Sequence, residues 1–164
     1  NWSAHITNIT NEANRTLGFL RRNLRLASAS IKTLTYLTFV RPKLEYACSV
    51  WDPHQSNLSN TLESVQNRAA RFIFSDYSYH TSVTALKSEA NLTNPESRRC
   101  IFRLCLFHKF YHSQLDVSAI VPAHRLSGRT NHPKAVYPPP AQTTAHLRSF
   151  FVQTVRDRNS LPID

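Results

Sequence analysis

The stretch Trp2-Ser3-Ala4-His5-Ile6-Thr7-Asn8-Ile9-Thr10-Asn11-Glu12-Ala13-Asn14-Arg15-Thr16-Leu17-Gly18-Phe19-Leu20-Arg21-Arg22-Asn23-Leu24 decides the fold class of this chain. Its apolar residues Trp2, Ile6, Ile9, Ala13, Leu17, Leu20 and Leu24 recur every three or four positions, the spacing that lines one side of an α-helix. Projected at about 100° per residue, Arg15, Arg21, Arg22 and Arg25 fall on the opposite side. The pattern predicts a helix with one apolar face and one arginine face.

The same period runs downstream. Ser28 or Ser30 is placed to cap a second helix that carries Ile31, Leu34, Leu37 and Val40 inward. Pro42 lacks a backbone donor and is expected to kink or restart that helix, which then continues from Lys43 to Trp51 and stops at Asp52-Pro53. Ser56 or Asn57 opens a third helix with Leu58, Leu62, Val65, Ala69, Phe72 and Ile73 on one side. Thr81 caps a short helix through Ala90. Asn94-Pro95-Glu96 joins a capping residue, a first-turn proline and an acid at the positive dipole end, a strong start signal. The helix it opens runs to about Ser113 and is apolar on two sides, Ile101, Leu104 and His108 against Phe102, Leu106 and Phe110. From Pro122 to His146 the period dissolves, and Pro133 with Pro138-Pro139-Pro140 predicts an extended, polyproline-like crossing. A last amphipathic piece spans Phe150 to Arg158. The expected class is mainly α: a small helical bundle over 1–121, an extended Pro-rich arm over 122–147 and a short helical C-terminal segment over 148–164.

Charge narrows the partners. Twenty Lys and Arg face ten Asp and Glu among 164 residues, a net +10 with a pI near 10.1. Such an excess favours polyanions, nucleic acid first. The two glycines stand apart at Gly18 and Gly128, so no phosphate-cradling loop is present. No apolar run approaches the roughly eighteen residues that a membrane-spanning helix needs, and no membrane partner is expected. The three cysteines, Cys48, Cys100 and Cys105, have no disulfide-framework spacing, which fits a reducing, intracellular setting. The sequence contains no methionine, and it opens inside an amphipathic pattern; it is expected to be a piece of a longer reading frame.

Metal-dependent nucleotidyl transfer needs clustered carboxylates. The acids here are scattered, and Glu45 and Asp52 are read as surface or capping residues, so no catalytic residue is expected. Cys100, Cys105, His108 and His112 have finger-like spacing. They share one predicted helix, however, with Cys100 turned away from the other three, so no metal site and no cofactor are expected. Cys48 is read as a small packing residue. The basic residues remain as candidate nucleic-acid contacts: Arg15, Arg21, Arg22, Arg25, Lys32, Arg41, Lys43, Arg68 and Arg71. Guanidinium forks suit phosphate oxygens, in a mode that is blind to base sequence and sensitive to salt.

Particular strings narrow the choice. Ala13-Asn14-Arg15-Thr16-Leu17-Gly18-Phe19-Leu20-Arg21-Arg22-Asn23-Leu24 closely resembles the segment that follows the palm in jockey-like and chicken-repeat-like LINE retrotransposon polyproteins, the non-LTR reverse transcriptases. So do Val40-Arg41-Pro42-Lys43-Leu44-Glu45-Tyr46-Ala47-Cys48-Ser49-Val50-Trp51-Asp52-Pro53 and Leu62-Glu63-Ser64-Val65-Gln66-Asn67-Arg68-Ala69-Ala70-Arg71-Phe72. Ser97-Arg98-Arg99, Arg103-Leu104, Ser149-Phe150-Phe151 and Asn159-Ser160-Leu161-Pro162 continue the likeness in order along nearly the whole chain. The resemblance implies a thumb-like bundle and its extension in an RNA-directed DNA polymerase, with the catalytic aspartates and their magnesium in a palm upstream. It implies RNA and DNA as a template-primer duplex for partners, together with that palm. It also implies residence in cytoplasm and nucleus as a ribonucleoprotein. Arg158 departs from the family pattern, which has tryptophan before Asn-x-Leu-Pro, and weaker docking of the terminus is expected there. The alternatives are an assembly module that packs on the palm through the helix from Pro95 to Ser113 without binding nucleic acid and, ranked behind it, a small zinc-dependent nucleic-acid module resting on the Cys100 to His112 spacing.

Overall fold

The structure, a computed structural model, describes residues 2–113, 120–122 and 135–161. The described chain is mainly α, as the periodicity predicts. Helices α1 (Ser3–Asn23), α2 (Ala29–Thr35), α3 (Arg41–Glu45), α4 (Cys48–Trp51), α5 (Ser56–Phe74), α6 (Val83–Glu89) and α7 (Pro95–His112) precede a minimal antiparallel pair, β1 (Val121–Pro122) and β2 (Val136–Tyr137). Then come α8 (Thr144–Leu147) and α9 (Phe150–Asn159). Two compact units, Asn1–Arg99 and Cys100–Asp164, divide the chain within α7, whereas sequence patterning drew its lines at 121/122 and 147/148. Much of the expected Pro-rich arm lies outside the described residues. Its described remainder includes β2 and the short α8, which Thr143 caps by accepting from the His146 N–H.

The first unit is built on α1 and α5. Ile6, Ala13, Leu17 and Leu20 of α1 and Leu62, Val65, Ala69, Phe72 and Ile73 of α5 are all buried, the stripes that the sequence marks. Each large apolar side chain so buried contributes about 1.5–3 kcal/mol against the entropy of ordering it.

The stretch after α1 departs from expectation. Ser28 does precede α2, but Ile31 and Leu34 are exposed, and the buried line is Lys32, Tyr36 and Val40. These three are spaced by four, so they stack on one face. The polar tips of the first two find partners on or just past α5: Tyr36 Oη donates to Gln66 Oε1 at 3.1 Å and Lys32 Nζ to Ser75 Oγ at 2.7 Å. A π-helical turn at Tyr36–Val40 joins α2 to α3, and the Arg41 N–H donates to the Tyr36 carbonyl, five residues back. That wider turn accommodates Pro42, which cannot donate and whose ring crowds the preceding turn. The expected continuous helix from Lys43 to Trp51 is broken instead. Ala47 takes the left-handed conformation (φ 53°), and Cys48–Trp51 forms a separate turn. The indole of Trp51 closes the corner by donating to the Tyr46 carbonyl at 2.8 Å.

The break sends Glu45 and Asp52 to different buried arginines, and neither is the surface acid that the sequence suggests. Arg98 Nε donates to Glu45 Oε1 at 2.5 Å, while Arg41 binds the other oxygen at 3.1 Å. Arg98 also donates to Gln66 Oε1 at 3.1 Å and to the Thr93 carbonyl. Arg99, 2% exposed in its side chain, donates to Asp52 Oδ1 at 2.6 Å. Burial holds the Arg99 guanidinium below its ordinary range, against the opposing pull of Cys48 and nearby acids.

Burial also pushes the Tyr36 phenol up from 10.0 to about 12, with the Arg98 charge opposing. The folded state therefore keeps this proton longer than the unfolded chain does. The resulting stability is intact below about pH 10 and is lost as pH rises towards about 12, roughly 2–3 kcal/mol in all. We expect Tyr36→Phe to remove this part of the alkaline decline. Urea midpoints at about pH 9 and about pH 11 check it, and equal declines in both proteins would exclude Tyr36 as the source.

Helix α7 starts as expected, with the Glu96 N–H bound to Asn94 Oδ1 at 2.8 Å. Helix α6 is capped by Ser82 rather than Thr81. The inward line of α7 is not one of the two apolar faces that the sequence suggests. Arg99, Arg103 and Phe107 are buried on it, and Ile101 and Phe102 are exposed.

In the second unit Phe107, Val136 and Val155 are buried against Tyr111, Ile120, Phe150 and Phe151. Arg103 pairs with Asp157 at 2.6 Å. Asn159 clamps Val136 by accepting from its N–H and donating to its carbonyl. Arg158 lies 4.5 Å from the ring centroid of Tyr111 and 5.8 Å from that of Phe107. The Arg158 cation thus makes aromatic contact within this unit.

Candidate functional site

The last turns of α1 and α5 bring basic residues together on the first unit. Two adjoining clefts, of about 670 and 360 Å³, share Arg21, Phe72 and Tyr77. Arg22, Arg25 and Lys32 line the larger cleft, and Arg68 and Arg71 line the smaller. Six of the candidate contacts thus converge, and among the described residues no Asp or Glu lines either cleft. Gathering six like charges costs energy unless an anion is taken up between them.

The site is shaped by the way α5 ends. Ser75 takes a left-handed conformation (φ 55°), and the Asp76 N–H reaches back to the Arg71 carbonyl, closing the helix in a Schellman-type turn. The chain then brings Tyr77 to the arginines, with the Arg21 guanidinium 5.4 Å from its ring centroid and the ring half exposed. Arg71 Nη1 donates to the Ser78 carbonyl at 2.8 Å and Arg68 Nη1 to Asn14 Oδ1 at 3.0 Å, bonds that orient both forks without neutralising them. Asp76 is the nearby acid, but the Thr81 hydroxyl and the Ser78 N–H occupy its oxygens and hold its carboxyl below the usual range.

Three candidates stand apart. Arg15 is exposed on α1 and lines neither cleft. Arg41 is paired with Glu45, and Lys43 with Glu12, whose carboxyl this hydrogen bond and charge hold below the ordinary range. What sequence reasoning missed is Tyr77, and Phe72 as more than a core residue. The available signal was an aromatic residue shortly after the Arg68/Arg71 pair.

His108 and His112 place their rings 4.3 Å apart, and Cys100 Sγ lies 3.9 Å from Asp157 Oδ2. Among the described residues no three His, Cys, Asp or Glu side chains are grouped to hold a metal ion. Among them, too, no helix is long and apolar enough to cross a membrane. Comparison with known proteins finds no matching family model, no matching curated protein and no matching solved structure.

Proposed function

We propose that this chain is a non-catalytic, post-palm part of an RNA-directed DNA polymerase of the non-LTR retrotransposon type, and that it grips the backbone of an RNA–DNA template-primer duplex. The observation that carries this reading is the convergence of Arg21, Arg22, Arg25, Lys32, Arg68 and Arg71 on two clefts that no described acid lines. Arginine forks match phosphate oxygens, and such contacts hold a duplex in place without reading its bases. The ordered strings behind the resemblance supply Glu45, Asp52, Gln66, Arg98 and Arg99. These pair across 32 to 53 residues, a physical reason for the strings to occur together. Magnesium would belong to the aspartates of the palm, and no step of the chemistry falls to the residues here.

Replacing Arg21, Arg22 and Arg25 together with alanine is expected to weaken duplex binding. It should also flatten the plot of log affinity against log salt by roughly 2 to 3, about one per lost phosphate contact. Filter binding between low and moderate salt measures both; an unchanged slope would remove these residues from the binding surface.

A second reading, an assembly module that packs on a palm without touching nucleic acid, is favoured by the exposure of Ile101 and Phe102 on α7 and of Ile31 and Leu34 on α2. Duplex binding that is absent even at low salt, with solubility restored by co-expressed palm, selects it.

A further inference from the structure

Lys32 points to something more specific, which rests on the reading above only for the source of the ligand. Lys32 is 4% exposed, and lysines that deep are rare unless an opposite charge meets them. Its Nζ donates to Ser75 Oγ and stands 5.6 Å from the centroid of the Phe72 ring. No carboxylate pairs with it among the described residues. The carbonyl end of α5 supplies at most about half a negative charge. Much of the lysine charge is therefore left unmatched among the described residues.

The surroundings sharpen the point. Ser75 occupies the left-handed position after a helix end, where glycine is favoured because it has no Cβ to crowd the backbone. Serine accepts that strain and keeps a hydroxyl against the ammonium. The same cleft is lined by more positive charge, from Arg21, Arg22 and Arg25, and by the half-exposed Tyr77. The cleft, about 670 Å³, falls within the roughly 300–1,000 Å³ of small-ligand sites. A merely solvated basic surface would not bury one of its cations.

We propose that Lys32 is the floor of a discrete phosphate site: one phosphoryl group enters this cleft, accepts hydrogen bonds from Lys32 Nζ and the flanking guanidiniums, and completes the ion pairing that the fold leaves unfinished. The Tyr77 ring then lies beside the attached sugar or base. The phosphoryl group belongs either to a nucleic-acid backbone or to a free phosphate compound. Because the lysine is buried, this contact is screened less by salt than the outer arginine contacts are.

The test uses the full chain, inorganic pyrophosphate and the variant Lys32→Met, which keeps an apolar stem and removes the charge. At constant ionic strength pyrophosphate should raise the melting temperature of the parent saturably, and its affinity should be roughly tenfold or more weaker for Lys32→Met. Without anion, Lys32→Met should melt at or above the parent, since it relieves an unmatched buried charge. Equal stabilisation of both proteins by pyrophosphate, or none in either, overturns the proposal. So does a variant that melts well below the parent without anion, for then the fold itself compensates Lys32. An RNA–DNA duplex that displaces pyrophosphate identifies the backbone as the source. A pyrophosphate effect that needs Lys32 and that duplex cannot displace leaves this site standing and withdraws the template-primer reading. Duplex bound equally by both proteins, with no pyrophosphate effect, does the reverse.

Discussion

Glu45→Leu is expected to destabilise the fold by about 3–5 kcal/mol, the range for leaving a buried partner of an ion pair uncompensated. Arg98 would remain 8% exposed in its side chain, with its Nε facing an apolar group in place of a carboxylate. Adding Arg98→Met should restore most of the loss, and the hydrogen bonds say why. Gln66 Oε1 would keep the Tyr36 hydroxyl, and the Thr93 carbonyl would keep Gln66 Nε2, so removing the guanidinium orphans neither acceptor. Reversible urea unfolding of parent, singles and double gives the coupling directly. A double variant no more stable than Glu45→Leu would mean that Arg98 holds Gln66 and Thr93 in place rather than merely balancing Glu45.

Asp52→Leu should cost a similar amount, about 3–5 kcal/mol, for the same reason acting on Arg99. Here burial already outweighs the surrounding acids, and Arg99 Nη2 has no hydrogen-bond acceptor among the described residues, so the guanidinium depends heavily on the Asp52 carboxylate. Because this pair is screened little by ions, the cost should be nearly the same at low and at molar salt. That behaviour separates it from the exposed Lys43–Glu12 pair, whose contribution is small and salt-dependent. A loss for Asp52→Leu that vanishes in molar salt would place Asp52 among the surface acids, as the sequence first suggested.

These two pairs also connect fold to site. Glu45 and Asp52 flank the corner at Ala47, and their arginines lie in the first turns of α7. Arg98 reaches Gln66 on α5, the helix whose far end carries Arg68, Arg71 and the turn at Ser75.

The local period was enough to establish helices at Ser3–Asn23, Ser56–Phe74 and Phe150–Asn159, and the start of α7 at Pro95. Apolar residues spaced by three and four report which side of a long helix turns inward. An Asn-Pro-Glu start is local chemistry that needs no distant partner. The excess of positive charge was equally legible.

Tertiary structure alone decided which charges are spent inside the fold. Arg98 meets Glu45 across 53 residues and Arg99 meets Asp52 across 47, so no window of sequence could separate them from the arginines that line the clefts. The same holds for α2, where Ile31 and Leu34 face out and Lys32 and Tyr36 face in. A lysine or tyrosine is buried only when something meets its polar tip, and Ser75 and Gln66 are supplied by a helix and its cap 30 to 43 residues away. Apolar periodicity is a property of one segment; compensation of charge is a property of two.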